Sequence, residues 1–286
     1  MAALILHRIA RVADLVGVAQ PREASGVIVR DGQLLVISDN TSRVAILDPG
    51  LTVPGREVRL DGGRGRDYED LAADPAGGRL FVVVEELPDG PPYYALVEEY
   101  DDQFQLIAAK KVDTPFWREN KGIEGLAAVR HDDRLYLLGL GEADDGRLGV
   151  YTEADDRWER IATIELPLAF EDYAGVAVAD GRIAVVSQQS SALWLGHLDP
   201  QTWTVDEGSV YGFPATTTAR RSSRPSKVWS SWAWTRWSWR PTSGARACTP
   251  RPSSPSRSST FLSSGPPQPG GAARTRPARR HRAAGG

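Results

Sequence analysis

Short apolar runs alternate with Gly- and Asp-rich turns through the first two hundred positions, and the arrangement recurs. A carboxylate-containing step appears four times: Glu23-Ala-Ser-Gly26-Val27, Glu69-Asp70-Leu71-Ala72, Glu124-Gly125-Leu126-Ala127 and Asp172-Tyr-Ala-Gly175-Val176. Each precedes an apolar run: Leu34 to Ser38, Leu80 to Val84, Leu135 to Gly139 and Ile183 to Ser187. The intervals from Val27 to Leu71, Leu71 to Leu126 and Leu126 to Val176 are 44, 55 and 50 residues. Within a unit the runs have the period-two or block character of strands, and no ten-residue window carries a convincing helical stripe. Asp31-Gly32 and Asp180-Gly181 predict two-residue hairpins, because a tight mirror-image turn needs positive φ. Four short strands per unit at this period predict a β-propeller.

The expected fold is therefore all-β, a propeller of five blades, with six as the alternative. Four blades are encoded near residues 20–60, 64–113, 119–167 and 170–213. The apolar stretch at residues 4–12 has no blade of its own and is expected to close the ring as an outer strand of the last one.

Composition divides the chain. Of its 286 residues, positions 1–214 hold all 37 Asp and Glu with 20 Lys and Arg, a balance of −17. Positions 215–286 hold 14 Lys and Arg, no acid, and five of the nine tryptophans. Such a tail reads in three ways: a nucleic-acid arm, a disordered extension, or a segment translated out of frame. Tryptophan has one codon, which allows a test. Reading the last base of each codon with the first two of the next, through residues 226–239, gives Glu-Gly-Val-Val-Val-Val-Gly-Leu-Asp-Ala-Val-Val-Val-Ala when the free third bases are G or C. That is a fifth copy of the carboxylate step with its strand, about 53 residues after the fourth, at the spacing a propeller requires. We read the tail as the product of a frame slip near residues 214–218. Nucleic acid is accordingly not expected as a partner.

The N-terminus lacks the basic lead and long apolar core of a signal peptide, and no run has the length of a membrane span, so a cytoplasmic location without membrane attachment is expected. Cys248 is the sole cysteine, which excludes disulfides within the chain. The histidines, His7, His131, His197 and His281, show no metal-ligand spacing. Ser187, Ser190 and Ser191 lie in no nucleophile elbow.

The innermost strand of a blade runs along the central channel, so residues preceding it crowd one mouth. Glu23, Glu69 or Asp70, Glu124 and Glu171 or Asp172 fall there. A second position after the next strand holds Asp39, Glu85, Glu142 and, in the fourth unit, Gln188. Converging carboxylates repel, and neighbouring bases such as Arg66 and Lys121 are candidates to offset them. Three roles follow for the carboxylates: accepting backbone N–H bonds from the adjacent blade and fixing the register of the ring, holding a hard cation such as Ca²⁺ through Glu23, Glu69, Glu124 and Asp172, or acid–base catalysis with Glu69 and Glu124 foremost.

The phrases Asp67-Tyr-Glu69-Asp-Leu-Ala72 and Lys121-Gly-Ile-Glu124-Gly-Leu-Ala127, each followed by a strand ending near Ser-Asp or Glu, resemble two propeller families, the SdiA-regulated-protein-like and the phytase esterase-like groups. The resemblance covers about residues 20–200. It implies a calcium-binding channel mouth and a hydrolase activity. The fourth unit departs from the pattern with Ala174 before Gly175 and Gln188 after the next strand. The residues favour a binding or scaffold propeller with an acidic mouth that receives a small molecule or a protein. A metal-dependent ester or phosphoester hydrolase using the same carboxylates is the alternative.

Overall fold

The structure, a computed structural model, describes residues 2–4, 7–85, 87, 90–118, 121–141 and 147–213. Glu142 and the alternate-frame stretch at 226–239 lie outside the described residues. A two-residue strand β1 (Ala2–Ala3) and a short helix α1 (Val12–Val16) come first. Four antiparallel meanders follow. Blade 1 is β2 (Ala24–Arg30), β3 (Gln33–Ser38), β4 (Arg43–Leu47) and β5 (Arg56–Arg59). Blade 2 is β6 (Tyr68–Ala73), β7 (Leu80–Val84), β8 (Leu96–Tyr100) and β9 (Leu106–Val112). Blade 3 is β10 (Ile123–His131), β11 (Arg134–Gly141), β12 (Arg147–Glu153) and β13 (Arg157–Glu165). Blade 4 is β14 (Gly175–Ala179), β15 (Arg182–Ser187), β16 (Ala192–Asp199) and β18 (Ser209–Gly212), with β17 (Thr204–Val205) paired to the far end of β16.

Each blade starts on its innermost strand, and these strands pack on one another in the order β2, β6, β10, β14. The chain is a β-propeller. A short parallel contact, Lys111 with Arg157 and Val112 with Trp158, also ties the outer strands of blades 2 and 3.

Period-two alternation explains why the second strands are apolar throughout. In β7, Phe81 and Val83 enter the core between blades 2 and 3, while Leu80, Val82 and Val84 enter the core between blades 1 and 2. In β11, Leu135 and Leu137 face blade 2, and Leu138 and Leu140 face blade 4. A sheet with a neighbour on both sides needs apolar residues on both faces. The largest anchors are Trp158 and Trp194, both fully buried, with Trp158 edge-on to Phe81 at 5.7 Å between ring centroids. The hairpins have the expected turns: Asp31 and Gly32 sit at φ 51° and 71°, and Asp180 and Gly181 at 51° and 71°.

The expected closing strand at 4–12 is corrected. Strand β1 lies earlier, at Ala2–Ala3, and pairs parallel with Tyr211 and Gly212 of blade 4. Val12–Val16 is helical and ends at Gly17, whose left-handed φ of 70° stops it. A strand needs a partner edge, and the proposed partner blade lies outside the described residues. The apolar side chains Val12, Leu15 and Val16 instead cover blade 1 at Leu34, Val36, Ala45 and Leu47. No helix of the described residues is long and apolar enough to cross a membrane.

Candidate functional site

A β-bulge opens the innermost strand of the first three blades, and it reorganises the expected acidic ring. The pairing shifts between Ala24 and Gly26, between Tyr68 and Asp70, and between Ile123 and Gly125. Ser25, Glu69 and Glu124 therefore occupy one equivalent position, and Ala174 takes it in blade 4, where its N–H donates to Val186 O at 2.9 Å. The next position holds Gly26, Asp70, Gly125 and Gly175. Glu23 and Asp172 stand two residues earlier, equivalent to Asp67 and Gly122. The four carboxylates Glu23, Glu69, Glu124 and Asp172 thus belong to two layers rather than one ring. The spacing in sequence concealed this because a bulge adds one residue without changing the repeat.

The layers differ in exposure. Glu69, Asp70, Glu85, Glu124 and Asp172 are buried, Asp39 and Lys121 half-buried, and Glu23 exposed. Arg66 is exposed and pairs with its neighbour Asp67 at 3.4 Å. Where partners are defined, the buried acids hold backbone. Asp70 accepts from its own strand at Leu71 N and from blade 3 at Leu126 N, both at 2.8 Å. Glu85 accepts from Gly122 N, on the way into blade 3, at 3.5 Å. Asp172 accepts from Ser187 Oγ at 2.5 Å and Gln189 N at 3.0 Å, and so fixes the turn after β15. A backbone relay crosses the same mouth: Asp39 N donates to Glu23 O, Asp67 N to Asp39 O, and Glu85 N to Asp67 O, at 3.0–3.1 Å.

Asp70 stands where three blades have glycine. A Cβ on Gly26 would lie 2.8 Å from the Asp70 Cα, and one on Gly125 would lie 2.8 Å from Val176 N and 3.0 Å from the Gly175 Cα. The innermost strands therefore approach backbone to backbone at this level and form a throat. Burial drives the Asp70 carboxyl well above the usual carboxylate range; the N–H groups of Leu126 and Leu71 oppose the rise, and Glu69 adds to it. Calcium asks for six or more converging oxygens. Among the described residues no three His, Cys, Asp or Glu side chains converge as a metal group requires, so these donors do not fit the ion.

Beyond the throat the channel opens at the other mouth into a cavity of about 1030 Å³. The later halves of the four innermost strands line it with Val27–Val29, Leu71–Ala73, Leu126–Val129 and Val176–Ala179. Its rim carries Arg30, Asp31, Asp74, Arg130 and Asp180. Arg130 grips Asp74 with two bonds, Nε to Oδ1 at 2.7 Å and a terminal nitrogen to Oδ2 at 2.8 Å, and spends a third on Asp133 O at 3.2 Å. Arg79 joins Asp74 at 3.3 Å and reaches Glu99 and Glu153. The hydrogen bond from Arg130 is the chief reason that the Asp74 carboxyl is held down to about 2. Arg30 is tied to Asp102 across the gap to blade 2. By sequence alone Asp31 and Asp180 are turn residues. The signal in the sequence is an Asp at this hairpin in the first, third and fourth repeats, Asp31, Asp132 and Asp180.

A buried tyrosine pair also holds the link between blades 1 and 2. Tyr68 and Tyr100 donate to Glu98 Oε2 at 2.9 and 2.5 Å, and Arg64 N donates to Oε1 at 2.7 Å. Both phenols are raised, Tyr68 to about 12, foremost by burial. This cluster is complete within itself and anchors the linker at Arg64 and Gly65.

No family model matches the chain, and no curated protein matches it. The resemblance at the Glu69 and Glu124 phrases therefore extends to the propeller fold alone. Among solved structures, the chain is similar to Myxococcus xanthus glutaminyl cyclase at a TM-score of 0.47 and 18% identity, over 67% of this chain and 71% of that one. It is similar to a Pseudomonas aeruginosa periplasmic gluconolactonase at 0.41 and 15%, over 68% and 55%. A Lactobacillus plantarum protein gives 0.41 and 16%, over 67% and 56%.

Proposed function

We propose that this chain is a binding propeller that takes a small molecule rich in hydrogen-bond donors into the channel at the Arg30–Arg130 mouth. The cavity there carries the reading. Its size suits a small ligand, and each innermost strand is the edge of its sheet, so backbone donors and acceptors face the channel. The rim arginines are bonded to Asp102 and Asp74; Asp31, loosely paired with Arg30 at 3.8 Å, and Asp180 are the exposed carboxylates there that can accept from hydroxyl or ammonium groups. The acids at the opposite mouth support the reading from the other side, since Asp70, Glu85 and Asp172 accept from backbone N–H groups of the fold.

The test is a thermal-shift screen of the full chain with monosaccharides, polyols and diamines. Val29 lines the cavity and is 50% exposed, so Val29→Trp fills space without breaking an ion pair. A ligand that raises Tm in the parent chain is expected to lose that shift in V29W, while the unliganded Tm stays within about 1–2 °C. A shift that survives in V29W places the ligand elsewhere and refutes the proposal. The hydrolase alternative is supported by the equivalent placement of Glu69 and Glu124 in neighbouring blades. Turnover of model esters that disappears on chelation and in Glu124→Gln would replace the binding reading with that one.

A further inference from the structure

Three of the hydrophobic cores lie between consecutive blades, but two apolar faces have no blade against them among the described residues. One is blade 1 at Leu34, Val36, Ala45 and Leu47. The other is blade 4 at Ala184, Val186 and Leu193. We infer that these two faces bracket the seat of a further blade, and that its innermost strand is the one spelled by codons 226–239 read from the last base of each codon.

Four observations converge. The innermost strands pack in series from β2 to β14, and no contact of comparable extent joins β14 back to β2. Blade 4 is complete at Gly212, the end of β18, and the chain has no acid after Glu207; the change in composition thus coincides with a blade boundary. One N-terminal segment touches both faces, with Leu4 on the blade 4 side and Val12, Leu15 and Val16 on the blade 1 side. Finally, the alternate reading begins Glu-Gly-Val, which matches Glu124-Gly125-Leu126. The glycine is the demanding residue, because at this level neighbouring strands come within 3.0 Å of where a Cβ would sit.

The occupant is thus a segment encoded by the same bases, not a foreign partner. Filling the seat would place its strands' alternate side chains against both faces, as β7 and β11 do in their own blades.

The experiment has two parts. Sequencing codons 210–240 should show G or C in the third positions that the alternate reading needs, with no stop codon through the following forty codons. Inserting one base near codon 216 then expresses the restored full chain beside the original. The restored chain is expected to be monomeric and to melt in one transition, at least about 10 °C above the original. A stop codon, a strand-breaking alternate sequence, an insoluble restored chain, or equal melting temperatures would each overturn the inference.

Discussion

Asp74 offers the sharpest test of how the blades are held together at the cavity mouth. Its carboxylate accepts two bonds from Arg130 of blade 3, one from Arg79, and one from Ala76 N at 2.9 Å. Held down to about 2 from an ordinary 3.8, the carboxyl contributes about 2.4 kcal/mol when fully ionised, at roughly 1.36 kcal/mol for each pH unit of displacement. Asp74 is itself buried, but water reaches Arg79 and Arg130, which are 26% and 33% exposed. Screening reduces the contribution to about 1–2 kcal/mol. Asp74→Asn should therefore lower Tm at pH 7 by about 3–6 °C in a domain of this size. The sign of the pH dependence follows from the depressed value: the stabilisation is present above pH 3.8 and is lost as pH falls through 2. The deficit of the variant should shrink to roughly half at pH 3. Thermal melts of both proteins between pH 7 and pH 3 measure it. A deficit that stays constant over that range would show that packing, not the ion pair, carries the effect.

Asp70 should behave in the opposite sense. Its carboxyl is raised, so its contribution is complete below the ordinary carboxylate range and is lost as pH rises through the raised value; relative to Asp70→Asn, the parent chain should lose Tm as pH rises from 4, and a flat difference would contradict the burial argument. Gly125→Ala should cost about 2–3 kcal/mol in urea unfolding, because its Cβ would meet the backbone of Val176 and Gly175 rather than a side chain that can turn away. Loss below about 0.5 kcal/mol would show that the throat can widen.

The propeller architecture is legible in the amino-acid pattern, because strand periodicity and turn chemistry are local. Asp31-Gly32 takes positive φ at both positions with no help from the rest of the chain. The block Leu80–Val84 is apolar on both faces only because it has a neighbour on each side, and that much is visible in a line of residues. What the candidate site does was not local. Whether Glu69 aligns with Glu23 or with Ser25 depends on a bulge of one residue, which pairing with β7 decides. Whether Asp70 serves solvent or the N–H of Leu126, 56 positions away, depends on how closely two strands approach. The cavity at the far mouth belongs to four strands at once, so no single repeat could announce it; only their packing around a common axis brings Arg30, Asp74, Arg130 and Asp180 to one rim.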